Sequence, residues 1–192
     1  MLLTSVLICV AALAILIAMP AYIAYATHNR LVALDQRCET AFGDVDAHLK
    51  HRHNLIPPLV ETVRVFTKHE SDILLGVTRA RAEALQANSP EMRLSAEQNL
   101  TQNINALIGM AERYPELKAS SHFSDLRREL IDVENRVTAS RRFYNLAVEE
   151  YGTTLRQFPG STIGRLFNMN VRTRYDLGIE RVLIDEPLAL KF

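Results

Sequence analysis

From Ser120 to Phe158 the apolar positions never lose step. Phe123, Leu126, Leu130, Val133, Val137, Ser140, Tyr144, Ala147, Tyr151, Leu155 and Phe158 follow one another at intervals of three and four. That spacing keeps a single stripe on one side of an α-helix. At 1.5 Å of rise per residue such a helix is roughly 60 Å long. One helix cannot bury a stripe of that length against itself, so other helices must lie along it. Few glycines and prolines (7 of each) and no tryptophan in 192 residues agree with an α-rich chain.

Three further amphipathic runs precede it. The first continues without a break from the N-terminal apolar segment through Leu31, Leu34, Cys38, Ala41, Val45 and Leu49, and is read as one helix from about Leu3 to His53. Gly43 inside it costs about 1 kcal/mol. Pro57-Pro58 is expected to end this helix, with Asn54 as its cap, because proline disfavours helical geometry before it and starts a new helix well. The second helix then runs from Pro58 to about Ala87, with Val60, Val63, Phe66, Ile73, Val77, Ala80 and Ala84 inward. Asn88 to Glu91 reads as a turn, with Ser89 at the N-cap and Pro90 in the first helical position. The third runs from Pro90 to Tyr114, with Leu100, Ile104, Leu107, Ile108 and Ala111 inward, and Pro115 ends it. Ser120 or Ser121 caps the long helix.

Four amphipathic helices on short links predict an all-α fold: a transmembrane helix continuing into an antiparallel, up-down-up-down four-helix bundle. Stripe spacing near 3.5 predicts shallow left-handed crossings. Residues 1–27 form the anchor, 28–158 the bundle, and 159–192 an irregular C-terminal tail with one short helix. The first helix has about 39 Å outside the bilayer against roughly 60 Å for the fourth. The fourth therefore reaches the headgroups, bends near Gly152 or overhangs into a neighbouring subunit.

The anchor assignment rests on Leu2 to Ala26, which carries no charged side chain. About 25 helical residues span roughly 37 Å, enough for a hydrocarbon core near 30 Å. Tyr22 and Tyr25 suit the headgroup level, and Pro20 predicts a kink. Ala24-Tyr25-Ala26 looks like a signal-peptidase site, yet no Lys or Arg precedes the run and its apolar part is too long for a typical signal, so a retained anchor is expected. Arg30 and Arg37 follow the run, which puts the N-terminus outside and the rest in the cytoplasm.

Arg165, Arg172 and Arg174 lie in a tail segment without acids, interleaved with Ile163, Leu166, Phe167 and Met169. Arg165, Phe167, Arg172 and Arg174 join Tyr22 and Tyr25 as expected membrane-interface residues. The alternative is that the tail covers the open end of the bundle.

Twenty-two basic residues balance 22 acidic ones, so no global field draws nucleic acid. Cys9 and Cys38 lie about 44 Å apart along a continuous helix and cannot pair within the chain; Cys38 suits a small core position. His48, His51 and His53 are the nearest approach to a metal site, but without a nearby Cys they read as a solvated helix end. His69-Glu70 reads as an exposed helix face, and Arg52, Arg64, Arg79 and Arg81 as solvated surface. Asn135, Arg141 and Asn145 read as polar register-setters at the bundle edge, with a partner surface as the alternative. No phosphate loop, nucleophile elbow or catalytic triad order occurs, so neither an enzyme nor a cofactor is expected.

Leu49-Lys50-His51-Arg52-His53-Asn54-Leu55-Ile56-Pro57-Pro58-Leu59-Val60-Glu61-Thr62-Val63 is similar to the LKRRxDLIPNLVETV signature of the LemA family of bacterial membrane-anchored helical proteins. Lys68-His69-Glu70, Ala80-Arg81-Ala82, Ala111 to Ala119, Glu134-Asn135-Arg136, Arg142-Phe143-Tyr144-Asn145 and Phe158-Pro159 also resemble it. The resemblance runs from about Asn29 to Phe192. It departs at Asn54 (Asp in the family), Pro58 (Asn) and Tyr175-Asp176 (Phe-Glu). It implies one N-terminal anchor in a bacterial inner membrane, a four-helix bundle, and no established reaction. The expected function is a membrane-anchored scaffold or interaction protein, a homo-oligomer in contact with the lipid bilayer. The alternative is an accessory subunit of a membrane-protein partner such as a protease.

Overall fold

The computed structural model describes residues 2–67, 69–88 and 90–175. Among them every regular element is a helix: α1 (Leu2–Phe66), α2 (Ser71–Gln86), α3 (Pro90–Ala111), α4 (Pro115–Lys118), α5 (Ser121–Arg156) and α6 (Gly160–Leu166). The expected cap Ser89 and the tail from Asp176 onward lie outside the described residues.

The largest departure from the sequence reading is α1, which passes straight through Pro57-Pro58 and ends at Phe66. Proline 57 has no N–H for the carbonyl of His53. The Nε of Arg81, on α2, donates to that carbonyl instead at 2.8 Å. Asn54, one position on, is exposed and lies inside the helix rather than capping a helix end. A side-chain donor thus replaces the backbone bond that the proline removes, and the helix survives.

The helix ends at Phe66 instead, and α2 starts at Ser71. Val60, Thr62, Val63, Val65 and Thr67 crowd β-branched side chains, poor helix formers, into the last turns of α1. Thr67 closes the end by bonding the Val63 carbonyl through both its N–H (3.1 Å) and its hydroxyl (3.0 Å). Pro115 also acts differently from expectation. α3 stops at Ala111, and Pro115 opens α4, where its missing N–H costs nothing. α5 starts at Ser121, with the Ser120 hydroxyl accepting the Phe123 N–H at 3.4 Å as an N-cap.

The chain divides into two compact units. The first takes Met1–Gly43 and Arg142–Arg174, the second the described residues of Asp44–Arg141 together with Tyr175. In the first unit Leu31, Leu34, Cys38 and Ala41 of α1 and Tyr144, Ala147, Val148, Tyr151 and Leu155 of α5 are buried. Arg37 pairs with Glu150 at 2.8 Å, and the rings of Phe42 and Tyr144 meet edge to face at 5.6 Å. Cys38 is free and buried, in a small core position as expected, and burial pushes its thiol up. α6 lies close under α5: Gly160 and Gly164 are buried, and a side chain at either would meet Thr154 or Leu155. Phe158 does not complete the α5 stripe; it is 85% exposed, just beyond the helix end.

The second unit packs α2 on α3, where Gly76 leaves room for Asn103, and buries Leu49, Ile56, Leu59 and Val63 with Val77, Leu100, Leu107, Leu117 and Val133. At the other end of the chain, Val10, Leu13, Ile15, Leu16, Ile17 and Met19 of α1 are exposed, along with Tyr22 and Tyr25. This part of α1 is long and apolar enough to cross a membrane.

Candidate functional site

The densest chemistry among the described residues is buried in the second unit. Arg52, His53 and Glu97 are 0, 5 and 2% exposed. Their placement follows from helix phase. Val45, Leu49, Arg52, Ile56, Leu59 and Val63 step by four and three, so Arg52 occupies a position of the α1 stripe. Glu97 is in phase with Leu100, Ile104, Leu107 and Ala111 on α3. Charged groups at such positions must be paired to be tolerated.

The pairing is dense. The guanidinium of Arg52 donates through Nη2 to Glu97 Oε2, and through Nη1 to Glu134 at 2.6 Å and the Thr101 hydroxyl at 3.0 Å. The Thr101 hydroxyl in turn donates a hydrogen bond to the Glu97 backbone carbonyl at 3.0 Å. His53 Nε2 lies 3.0 Å from Glu97 Oε1 without making a well-formed hydrogen bond to it. Burial alone would raise the Glu97 carboxyl; the close His53 ring and the Arg52 charge outweigh it and hold the carboxyl below the usual range. The His53 carbonyl takes the Arg81 bond that carries α1 past Pro57, so network and helix continuity share a residue.

Arg52 and His53 therefore do not lie on a solvated surface or helix end, as their sequence neighbours suggested, and Arg81 is half-buried with its Nε on the His53 carbonyl. The charge-rich string around them hid two core positions. The signal was the uninterrupted step of four and three through Arg52 and across Pro57-Pro58. His51 is exposed and meets Glu129 at 3.1 Å, and His48 is half-buried. Among the described residues no group of three potential ligands is placed to hold a metal ion.

Other second-unit residues also differ from expectation. Glu70 follows the break after α1 rather than riding a helix face, and accepts the Tyr114 hydroxyl at 2.9 Å. That bond, first among its causes, raises the Tyr114 phenol. Asn135 is exposed. Arg141 lies over the Tyr175 ring, 5.1 Å from its centroid. Burial pushes the Tyr175 phenol up, with Arg141 opposing.

The first unit holds a cleft of about 380 Å³ between α1, α5 and the segment after α6, lined by Val32, Asp35, Tyr151 and residues 168–172. Arg172 closes its edge. It bonds Asp35 through Nε at 2.6 Å and Nη2 at 3.1 Å, and Glu39 through Nη1 at 2.8 Å. The Asp35 bonds, foremost, raise the guanidinium further and keep it charged. Tyr144 donates to the Thr173 carbonyl at 3.0 Å, and Arg174 lies 3.4 Å from Glu149. Two of the three tail arginines thus have acidic partners from α1 and α5, although their own stretch of sequence contains none. Arg165 is exposed, Phe167 stacks on His28 with ring centroids 4.2 Å apart, and Tyr22 and Tyr25 are exposed on α1.

A search of curated proteins found no match. The LemA family profile matches residues 41–187, a stretch that holds Arg52, His53, Arg81, Glu97, Glu134 and Arg172. The chain belongs to the LemA family.

Proposed function

We propose that this chain is a membrane-anchored interaction module, a scaffold with no catalytic activity of its own that works as a homo-oligomer. The apolar N-terminal part of α1 holds it in a bacterial inner membrane, with the N-terminus outside and the other helices in the cytoplasm. Four helical runs form an up-down-up-down bundle. Pairings within each unit support that arrangement: Arg37 with Glu150 and Phe42 with Tyr144 on α1 and α5, Glu83 with Asn99 and Gly76 with Asn103 on α2 and α3. In each case the later residue on one helix meets the earlier residue on the other.

One observation carries the non-catalytic reading. Arg52, His53 and Glu97, the groups best suited to acid–base work, pair with one another and are sealed from solvent at 0–5% exposure. A general acid or base must reach a substrate. These groups instead lock α1 to α3, a use of buried charge that favours one register over others.

The test is affinity purification of the full chain from membranes in mild detergent, followed by chemical crosslinking and mass determination. Self-association without a stoichiometric second protein supports the scaffold. One membrane enzyme co-purifying in fixed ratio would make the chain an accessory subunit instead.

A further inference from the structure

The geometry points to a second membrane contact: a foot formed by Phe158 and α6, seated in the headgroup layer beside the point where α1 leaves the bilayer. The inference rests on the anchor reading of α1 and adds a lipid-binding surface to it.

Contacts within the first unit give each part of the chain a level along α1. On α5, Tyr144 meets Phe42 and Glu150 meets Arg37. Arg156, six residues beyond Glu150, then lies about 9 Å closer to the anchor, near the level of Leu31. The chain turns through Phe158 into α6, whose C-terminal neighbour Phe167 stacks on His28. From there it runs back the other way, with Arg172 on Asp35 and Glu39 and Thr173 at Tyr144. The tip of this excursion, 158–167, is the part closest to the anchor.

His28 is one turn beyond Tyr25, roughly 5 Å along the axis. The headgroup region is about 5–7 Å deep on each side of the hydrocarbon core. If Tyr22 and Tyr25 sit at the interface, Phe167 is within or at the edge of that region.

The tip also has the surface such a place requires. α6 turns Gly160, Ile163 and Gly164 inward. Arg165 and Leu166 face out, Leu166 being 71% exposed, and Phe167 remains 52% exposed. With Phe158 at 85%, three large apolar side chains are half or more exposed on one short excursion, beside a basic residue for which no acidic partner exists among the described residues. Apolar side chains flanked by a cation are what an anionic bilayer surface accepts. Arg172 and Arg174 play no direct part, because Asp35, Glu39 and Glu149 hold them. They fasten the returning strand that holds the foot in place.

The chain contains no tryptophan, so a single introduced one reports its own surroundings. The full chain would be reconstituted in vesicles of phosphatidylcholine and phosphatidylglycerol, with and without brominated acyl chains. Leu166→Trp and, separately, Phe158→Trp should emit at shorter wavelength than in detergent-free aqueous peptide controls and lose emission when the lipid is brominated. Leu16→Trp in the anchor should be quenched strongly. Phe143→Trp, about 20 Å farther along α1 by its contact with Arg37 and its neighbour Tyr144, should not be quenched. Quenching of Leu16→Trp with neither foot position quenched would overturn the foot and leave the anchor standing. Loss of quenching at Leu16→Trp itself would overturn the anchor reading. Quenching of Phe143→Trp to the same degree as Leu166→Trp would show that lipid reaches the whole unit and would also overturn a localised foot.

Discussion

Replacing Arg52 with Met should be among the most damaging single changes in the second unit, and the damage should be reversible by a second mutation. The change removes three bonds at once, to Glu97, Glu134 and Thr101. Their losses are unequal. The Glu134 side chain is 40% exposed and can turn to water. The Thr101 hydroxyl keeps its bond to the Glu97 carbonyl. The Glu97 carboxylate, 2% exposed, is left with only the misaligned His53 ring. Breaking a buried pair from one side costs about 3–5 kcal/mol, because the remaining charge is uncompensated. For a chain of this size that corresponds to a fall in Tm of roughly 6–20 °C. Arg52→Met/Glu97→Met removes both charges and should return to within about 1 kcal/mol of the parent or exceed it, since apolar replacement of a buried pair is often neutral or stabilising. The assay is thermal and urea unfolding of the full chain in mild detergent, followed by far-ultraviolet circular dichroism. A single mutant within about 0.5 kcal/mol of the parent, the range of exposed-site changes, would refute the burial argument. A double mutant as unstable as the single would refute the assignment of the cost to Glu97.

Three further outcomes follow from the same contacts. The Glu97 carboxyl is held below its unfolded value near 4.5, so its contribution is present above that pH and lost as pH falls through the lower folded value; Glu97→Gln should flatten the stability–pH curve below about pH 4.5, and an unchanged slope there would contradict it. Arg81→Met should destabilise by about 1–3 kcal/mol, the cost of an orphaned part-buried carbonyl, and hydrogen exchange should accelerate around Pro57-Pro58; unchanged exchange there would show that Arg81 does not support the proline turn. Arg172→Ala should open residues 168–174 to limited proteolysis, with Arg172→Lys intermediate because an ammonium cannot match the forked contact to Asp35; equal resistance in all three proteins would show that another contact holds the segment.

Much of the architecture was legible as periodicity. The step of three and four through α5 placed its buried face almost residue for residue, and the uncharged stretch before Thr27 marked the exposed apolar end of α1. Periodicity reports which side of a helix turns inward, and it is a local property. The errors came where a local rule met a distant partner. Pro57-Pro58 reads as a stop because proline removes a backbone bond, and only the fold brings Arg81, 28 positions from the His53 carbonyl, to replace it. Arg52 reads as surface because charged residues usually are, although it stands in phase with its stripe, as Glu97 does on α3; their burial is tolerable only because folding closes a gap of 45 residues between them. Arg172 has no acid in its own segment and finds Asp35 across 137 positions. Helix faces are therefore set by the sequence within a few turns, whereas the satisfaction of each buried or half-buried charge is decided by whichever side chain the tertiary structure brings within 3 Å or so of it, because hydrogen bonds and ion pairs act only at contact range.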